Sequence, residues 1–192
     1  NLINRGQIPY ICNRKVTFKS NYLSNQLMTT ATINTAAVAK AGMLIRRPVS
    51  EVFEAFINPE ITTKFWFTMS TGKLVSGKQV EWKWEMYNVT VPVYVKSLQP
   101  NKSIVIEWGE AKEKTTVEWT FKSPGDNSTF VDIVNHGFAG DTAQILTQVS
   151  DSTGGFSLVL AGLKAWLEHR IQLNLIADRF PGEMLDAGHA KS

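Results

Sequence analysis

Between Met69 and His136 the chain alternates apolar and polar residues, and on either side the period lengthens to that of a helix. Val80, Trp82, Trp84 and Met86 alternate with Glu81, Lys83 and Glu85, the pattern of a strand with one buried face. Val89, Val91, Val93 and Val95 repeat it. Pro92, which cannot donate to a ladder, makes that strand an edge or gives it a bulge. Ile104, Ile106 and Trp108 form the next strand and Val117, Trp119 and Phe121 the one after. Ser123-Pro124-Gly125-Asp126-Asn127 then turns the chain into a strand carrying Val131, Ile133 and Asn135. Closely spaced strands with one polar face each predict an antiparallel meander whose other face is covered.

The flanks supply the cover. The second half of Thr32 to Arg46 reads as a first strand, and Pro48 opens a helix with Val52, Phe53 and Phe56 on one face. Asn58-Pro59-Glu60 ends that helix and starts a short second one running into Phe65-Trp66-Phe67. Asn caps, Pro fits the first turn and Glu suits the positive end. After Gly137 the helical period returns. Asp151 or Ser152 can cap a helix running towards Phe180 and stopped by Pro181-Gly182, roughly 28 residues or about 42 Å. Phe156, Leu160, Leu163, Leu167 and Ile171 share its apolar stripe, widened by Val159 and Trp166; Ser157, Ala161, Lys164, Glu168 and Gln172 form the narrow wet side.

Length and charge narrow the function classes. A chain of 192 residues, 43% hydrophobic, is one domain able to bury a core without staples. No apolar run approaches the ~20 residues of a membrane span. The net charge of +3 invites a nucleic-acid reading, but residues 1–27 hold Arg5, Arg14, Lys15 and Lys19 and no acid, so residues 28–192 are nearly neutral. No basic stripe remains there, and a nucleic-acid partner is not expected. Residues 1–27 form an upstream arm outside the fold, and residues 28–192 are the single domain. The arm reads as an extension before a true start at Met28, as a processed or transit-like leader, or as an ordered arm. The only thiol, Cys12, falls in it, so the domain is expected to hold no disulfide, thiolate metal site or cysteine nucleophile. A cytoplasmic location is expected.

Chemical motifs are few. There is no HExxH, no GxSxG and no phosphate-binding GxxxxGK[ST], so neither a metal, a cofactor nor a catalytic residue is assigned. His169, Asp132, Glu118 and the Arg46-Arg47 pair read as solvated surface, and His189 lies in the tail.

Several groups in this order carry a resemblance: Arg47-Pro48 with Val52-Phe53, Asn58-Pro59-Glu60 with Phe65-Trp66, Val117-Glu118-Trp119 before a Gly-Asp turn, and His136-Gly137-Phe138. Gly155-Phe156 and Leu163-Lys164-Ala165-Trp166-Leu167-Glu168-His169 complete it. Over about residues 33–180 the chain resembles the START-like SRPBCC superfamily, and within it the domain named after the activator of the heat-shock-protein-90 ATPase. The resemblance implies an α+β helix-grip fold: a curved antiparallel sheet of six to seven strands around a long C-terminal helix, with two short helices after the first strand. It also implies a cavity that in relatives takes lipids, sterols, polyketides or other apolar ligands and in some hosts cyclase chemistry. The chaperone activator also relies on a separate N-terminal domain, for which residues 1–40 offer no replacement, so chaperone activation is the weaker expectation. Relatives often place His or another polar residue near position 135; here His136 is displaced by one and should face out, which puts a His-based acid–base role in doubt.

The candidate ligand-binding residues are Trp66, Trp82, Trp84, Trp108, Trp119, Asn135, Phe138, Phe156, Leu160 and Leu163. Singly, each ring is explained by core packing; together, bulky rings arching over one helix tend to line a pocket. Entry is expected near Phe65-Trp66 and Phe138. Asn135, Tyr94, Tyr87 and Glu85 are the polar groups that could orient a ligand, Asn135 foremost because it continues the inward face of Val131 and Ile133. Three readings follow: a protein binding a small apolar or aromatic molecule, a cyclase, dehydratase or hydrolase using Glu85, Tyr87 or Asn135, and an adaptor acting through the outer sheet or the basic arm. A homodimer is left open.

Overall fold

The computed structural model describes residues 37–110, 114–179 and 181; the arm 1–27, Cys12 and His189 lie outside the described residues. The order is β1 (Val38–Ile45), α1 (Val49–Ile57), α2 (Pro59–Thr62), β2 (Met69–Ser70), β3 (Gln79–Trp84), β4 (Val89–Gln99), β5 (Ser103–Trp108), β6 (Thr115–Gly125), β7 (Ser128–His136), α3 (Thr142–His169) and α4 (Leu175–Arg179). All seven strands form one antiparallel sheet in the order β1-β7-β6-β5-β4-β3-β2. Strands β2 to β7 are a meander, β1 joins beside β7, and α1, α2 and α3 cover the inner face: the expected helix grip.

The alternation seen in the sequence sets the inward rows. Ile106, Val117, Asn135 and Ala39 lie side by side across β5, β6, β7 and β1, and Ile104, Trp119, Ile133 and Ala41 form the next row. All eight are buried. At about 1.5–3 kcal/mol for each large apolar side chain, these rows are a principal stabilising contribution. Helix α1 adds Val52, Phe53, Ala55, Phe56 and Ile57, with Phe53 and Phe56 meeting Phe121 of β6 at 5.4 and 5.9 Å between ring centroids. Asn58 caps α2 by accepting from the Glu60 N–H (3.1 Å), and the Thr62 hydroxyl donates back to the Ala55 carbonyl (2.6 Å).

The structure departs from the sequence reading at three places. Met86 does not continue the inward row of β3; Glu85–Tyr87 form a 3-10 turn ended by Asn88 in the left-handed region (φ 51°), which leaves Met86 43% exposed. Pro92 is on neither an edge strand nor a bulge. Strand β4 lies between β3 and β5, and its register shift falls between Val95 and Ser97. The Pro92 carbonyl accepts from Gly109, beyond the end of β5, so the ring nitrogen faces a point where the neighbouring strand has already stopped.

The third departure is α3, which has the expected 28 residues but begins and ends about ten residues earlier. Its cap is Asp141, whose carboxylate accepts from the Gln144 N–H (2.8 Å) while the Gln144 side chain accepts from the Asp141 N–H (2.9 Å). Asp151 and Ser152 are interior to the helix. The first turns are largely solvated, which hid their period, and Arg170 in the left-handed region (φ 58°) ends the helix before Ile171, which is 51% exposed. A short α4 then returns Ile176 to the core, and the Tyr87 hydroxyl donates to its carbonyl (2.7 Å).

Helix α3 runs beside β1. Gly162 brings α3 close to the turn after α2: a Cβ there would stand 3.1 Å from both Cβ and the carbonyl oxygen of Phe65. The Lys164 ammonium donates to the Leu44 carbonyl (2.9 Å) on β1, and at the opposite edge β2 is two residues long.

Candidate functional site

Trp66 is the hub of the space between sheet and α3. The turn after α2 brings it inward, where its ring centroid lies 4.8 Å from Trp82, 5.8 Å from Phe67, 5.9 Å from Phe156, 6.0 Å from Trp108 and 6.1 Å from Trp119. Only 3% of Trp66 is exposed and Phe65 is buried too, so this segment is the centre of the cluster rather than its entrance. Trp84 joins through Phe67 (6.1 Å) and Trp108 (6.5 Å), while Phe156 presents α3 to Trp108 (6.0 Å) and Trp119 (6.1 Å). Leu160 and Leu163, one and two turns further along α3, are fully buried in the same core.

Nine of the ten candidate residues are therefore buried together. Phe138 is the exception: it is half-buried in the loop between β7 and α3, outside the hydrophobic core cluster. Sequence reasoning passed over Phe67, which stacks on Trp82 at 4.7 Å with 22° between planes. Its signal was present in the unbroken run Phe65-Trp66-Phe67, read there as the end of a helix.

Polar groups in this interior are sparse and uncharged. Among the described residues the buried polar residues away from Glu168 are Thr62, Thr115, Thr129, Asn135 and Gln148, and each has a hydrogen-bond partner. Asn135, 1% exposed, donates to the Thr116 carbonyl (2.8 Å) and accepts from the Ser152 hydroxyl (2.8 Å), which fastens β7 to β6 and α3. The Trp108 indole N–H donates to the Thr115 hydroxyl (2.9 Å). By contrast, the indole N–H groups of Trp66, Trp84 and Trp119 are buried and meet no acceptor among the described residues. A buried donor left unpaired costs about 1–3 kcal/mol, so three in one cluster call for an explanation beyond packing.

The other polar candidates lie away from this interior. Glu85 is exposed, Tyr87 is tied to α4, and Tyr94 is on the outer face. His136 also faces out, its Nε2 3.0 Å from a Glu118 carboxylate oxygen. Among the described residues no three His, Cys, Asp or Glu side chains come together as a metal site would require, and no helix is long and apolar enough to cross a membrane.

One charged cluster was missed. The side chain of Glu168, on the stripe read as wet, is only 8% exposed; it accepts from the Arg46 backbone N–H (2.7 Å) and the Lys164 ammonium (2.5 Å). The Arg47 guanidinium donates to the Glu168 carbonyl (3.1 Å), so the Arg46-Arg47 pair fastens the end of β1 to the end of α3. Burial alone would raise the Glu168 carboxyl, but the Arg46 N–H and the Lys164 and Arg46 cations together hold it below its ordinary value.

Comparison with solved structures agrees with this architecture. Protein SSP2350 from Staphylococcus saprophyticus superposes with a TM-score of 0.60 at 26% identity, covering 71% of this chain and 95% of its own. The Aha1 dimer from Colwellia psychrerythraea gives 0.59 at 18%, covering 69% and 96%. DynU16, from the dynemicin biosynthetic locus, gives 0.63 at 15%, covering 72% of this chain and 49% of its own. A search of curated proteins gave no match. The model of the family described as "Activator of Hsp90 ATPase homolog 1-like protein" matches residues 46–168, from the Arg46 turn through the Glu168 clasp that fastens it. The chain belongs to that family.

Proposed function

We propose that this protein binds a small apolar or aromatic molecule between the inner face of its sheet and α3. The observation that carries the reading is the ring cluster around Trp66, in which three indole N–H groups are buried without an acceptor among the described residues. Aromatic surface supplies the driving force, about 25 cal/mol per Å² of apolar area removed from water, and a few polar groups fix orientation. The shared fold with DynU16, a protein of a biosynthetic locus, supports a small-molecule role. Trp66, Trp82, Trp108, Trp119 and Phe156 are the proposed contacts, with Leu160 and Leu163 as the floor on α3. Phe138, the half-buried member, sits at the rim.

Binding is favoured over catalysis because Glu85, Tyr87 and Asn135, the candidates for handling protons, are solvated, tied to α4 and doubly hydrogen-bonded in turn. The test is a panel of lipids, sterols and polyphenols titrated into the full chain, read by Trp emission and melting temperature. At least one member is expected to quench or shift the emission and to raise the melting temperature. If none changes either readout, the reading fails.

A further inference from the structure

The geometry points to α4 as the door through which a small molecule reaches the rings, swinging on the segment Arg170–Asn174 and latched by Tyr87. This rests on the binding reading above and adds the way in. The interior is shut in this structure: Trp66, Trp82, Trp84, Trp108 and Trp119 are between 1% and 7% exposed, and the expected entrance beside Phe65 is closed. A molecule that reaches these rings has to displace part of the wall. Strands β3 to β7 are each paired on both sides, and α1 and α3 bury five and eight residues. Helix α2 is short, but it runs from α1 straight into the buried Phe65-Trp66-Phe67 and cannot leave without unpacking them. Helix α4 has five residues, ends the described chain but for Pro181, and buries Ile176 alone. It is the part of the wall with the fewest contacts to break.

The hinge is held against a cost. No Gly or Pro occurs between Arg170 and Phe180, so no helix breaker in the sequence stops α3 there. The chain breaks it by placing Arg170 at φ 58°, and enters α4 through Asn174 at φ 55°. Asn tolerates the left-handed region, whereas Arg170 takes a position where glycine is usual, in a helix end closed by the Ile171 N–H donating to the Ala165 carbonyl (3.2 Å). Residues 170–174 are all exposed, including Ile171 at 51% and Leu173 at 42%, so the hinge is not packed down. The offsetting contacts lie beyond it. Ile176, 3% exposed, is the plug, and the Tyr87 hydroxyl donates to the carbonyls of Ile176 (2.7 Å) and Ala177 (3.2 Å). Tyr87 ends the 3-10 turn that begins directly after Trp84, which puts the latch at the margin of the ring cluster.

Thiol labelling reads the opening without any ligand. In the full chain carrying Cys12→Ser, Ile176→Cys places a thiol on the door, and Val159→Cys, at a fully buried site on α3, places one that global unfolding uncovers. Position 176 should label at least about a hundredfold faster than position 159, with a much weaker dependence on urea because the opening exposes little surface. On that background Tyr87→Phe should speed labelling at 176 about fivefold, the equivalent of one hydrogen bond. Arg170→Gly should slow it about as much, while Arg170→Ala should not slow it. Equal labelling at the two positions with one urea slope overturns the door. The chain with its own Ile176, and its Tyr87→Phe and Arg170→Gly variants, are then mixed in a stopped flow with N-phenyl-1-naphthylamine, an uncharged aromatic probe that brightens on leaving water. The association rate should rise in Tyr87→Phe and fall in Arg170→Gly by the labelling factors. Identical association in all three puts the entrance elsewhere and overturns the assignment, while the binding reading stands. No association in any of the three removes the entrance together with that reading. Should Ile176→Cys fail to fold, the probe comparison, which keeps Ile176, decides alone.

Discussion

Replacing Glu168 by Gln isolates the contribution of one buried carboxylate to the joint between β1 and α3. The substitution keeps volume and an acceptor but removes the charge that faces the Arg46 N–H at 2.7 Å and the Lys164 ammonium at 2.5 Å. Hydrogen bonds to a charged group contribute about 1.5–3 kcal/mol each, against about 0.5–1.5 for neutral ones. With two such bonds downgraded rather than deleted, and Lys164 about 29% exposed and free to find water, the expected loss is about 1–2 kcal/mol at neutral pH. The sign of the pH dependence follows from the lowered folded-state pKa. The carboxylate's contribution is fully present above its unfolded value near 4.5 and is lost as pH falls through the lower folded value. Urea unfolding followed by far-ultraviolet circular dichroism, for both proteins at neutral pH and at steps below pH 4.5, measures the difference directly. The gap should be widest at neutral pH and close as the solution is acidified. A gap that stays constant across that range, or that is absent at neutral pH, would refute the proposed role of the charge.

Three further outcomes are expected. Gly154→Ala should stabilise α3 by about 0.5–1 kcal/mol, because a Cβ there meets nothing within 4 Å, whereas Gly162→Ala should destabilise by about 1 kcal/mol as overpacking against Phe65 outweighs the same helix gain; thermal melts of the pair check the opposite signs. Asp141→Ala removes the capping box and should cost about 1 kcal/mol, with hydrogen exchange quickening in the first turns of α3 and hardly at all around Leu160 and Leu163. Ser152→Ala strips Asn135 of its donor and should cost about 1–2 kcal/mol; the double variant with Asn135→Ala should be less than additive in denaturant unfolding, and strict additivity would deny the link between β7 and α3.

The strands were legible because one buried face forces period two, and the parity of Val80, Ile106, Val117 and Ile133 survives unchanged into the inward rows. The start of α3 was not, because Ile145, Leu146 and Val149 are set among polar residues and Leu146 stays exposed; its clearer signal was the Asp141–Gln144 box, a local hydrogen-bond pattern rather than a hydrophobic one. At the site, the rings were identifiable from strand parity, but the inward turn of Trp66 depends on how α2 ends, which period does not encode. Asn135 was correctly read as inward, yet its engagement with Ser152 was invisible while that residue was read as a helix cap. Lys164 and Glu168 looked solvated by spacing alone; what buries Glu168 is the Arg46-Arg47 turn, over a hundred residues distant in sequence.

The two margins of the sheet have a consequence for self-association. Along β1 the Lys164 ammonium takes the Leu44 carbonyl, and at the far margin β2 offers only Met69 and Ser70 as a template. An open sheet with long bare margins invites copies to polymerise by backbone pairing; this one has a guarded flank and a vestigial one. Among the described residues, backbone pairing between copies thus meets a carbonyl already engaged at one margin and a two-residue template at the other.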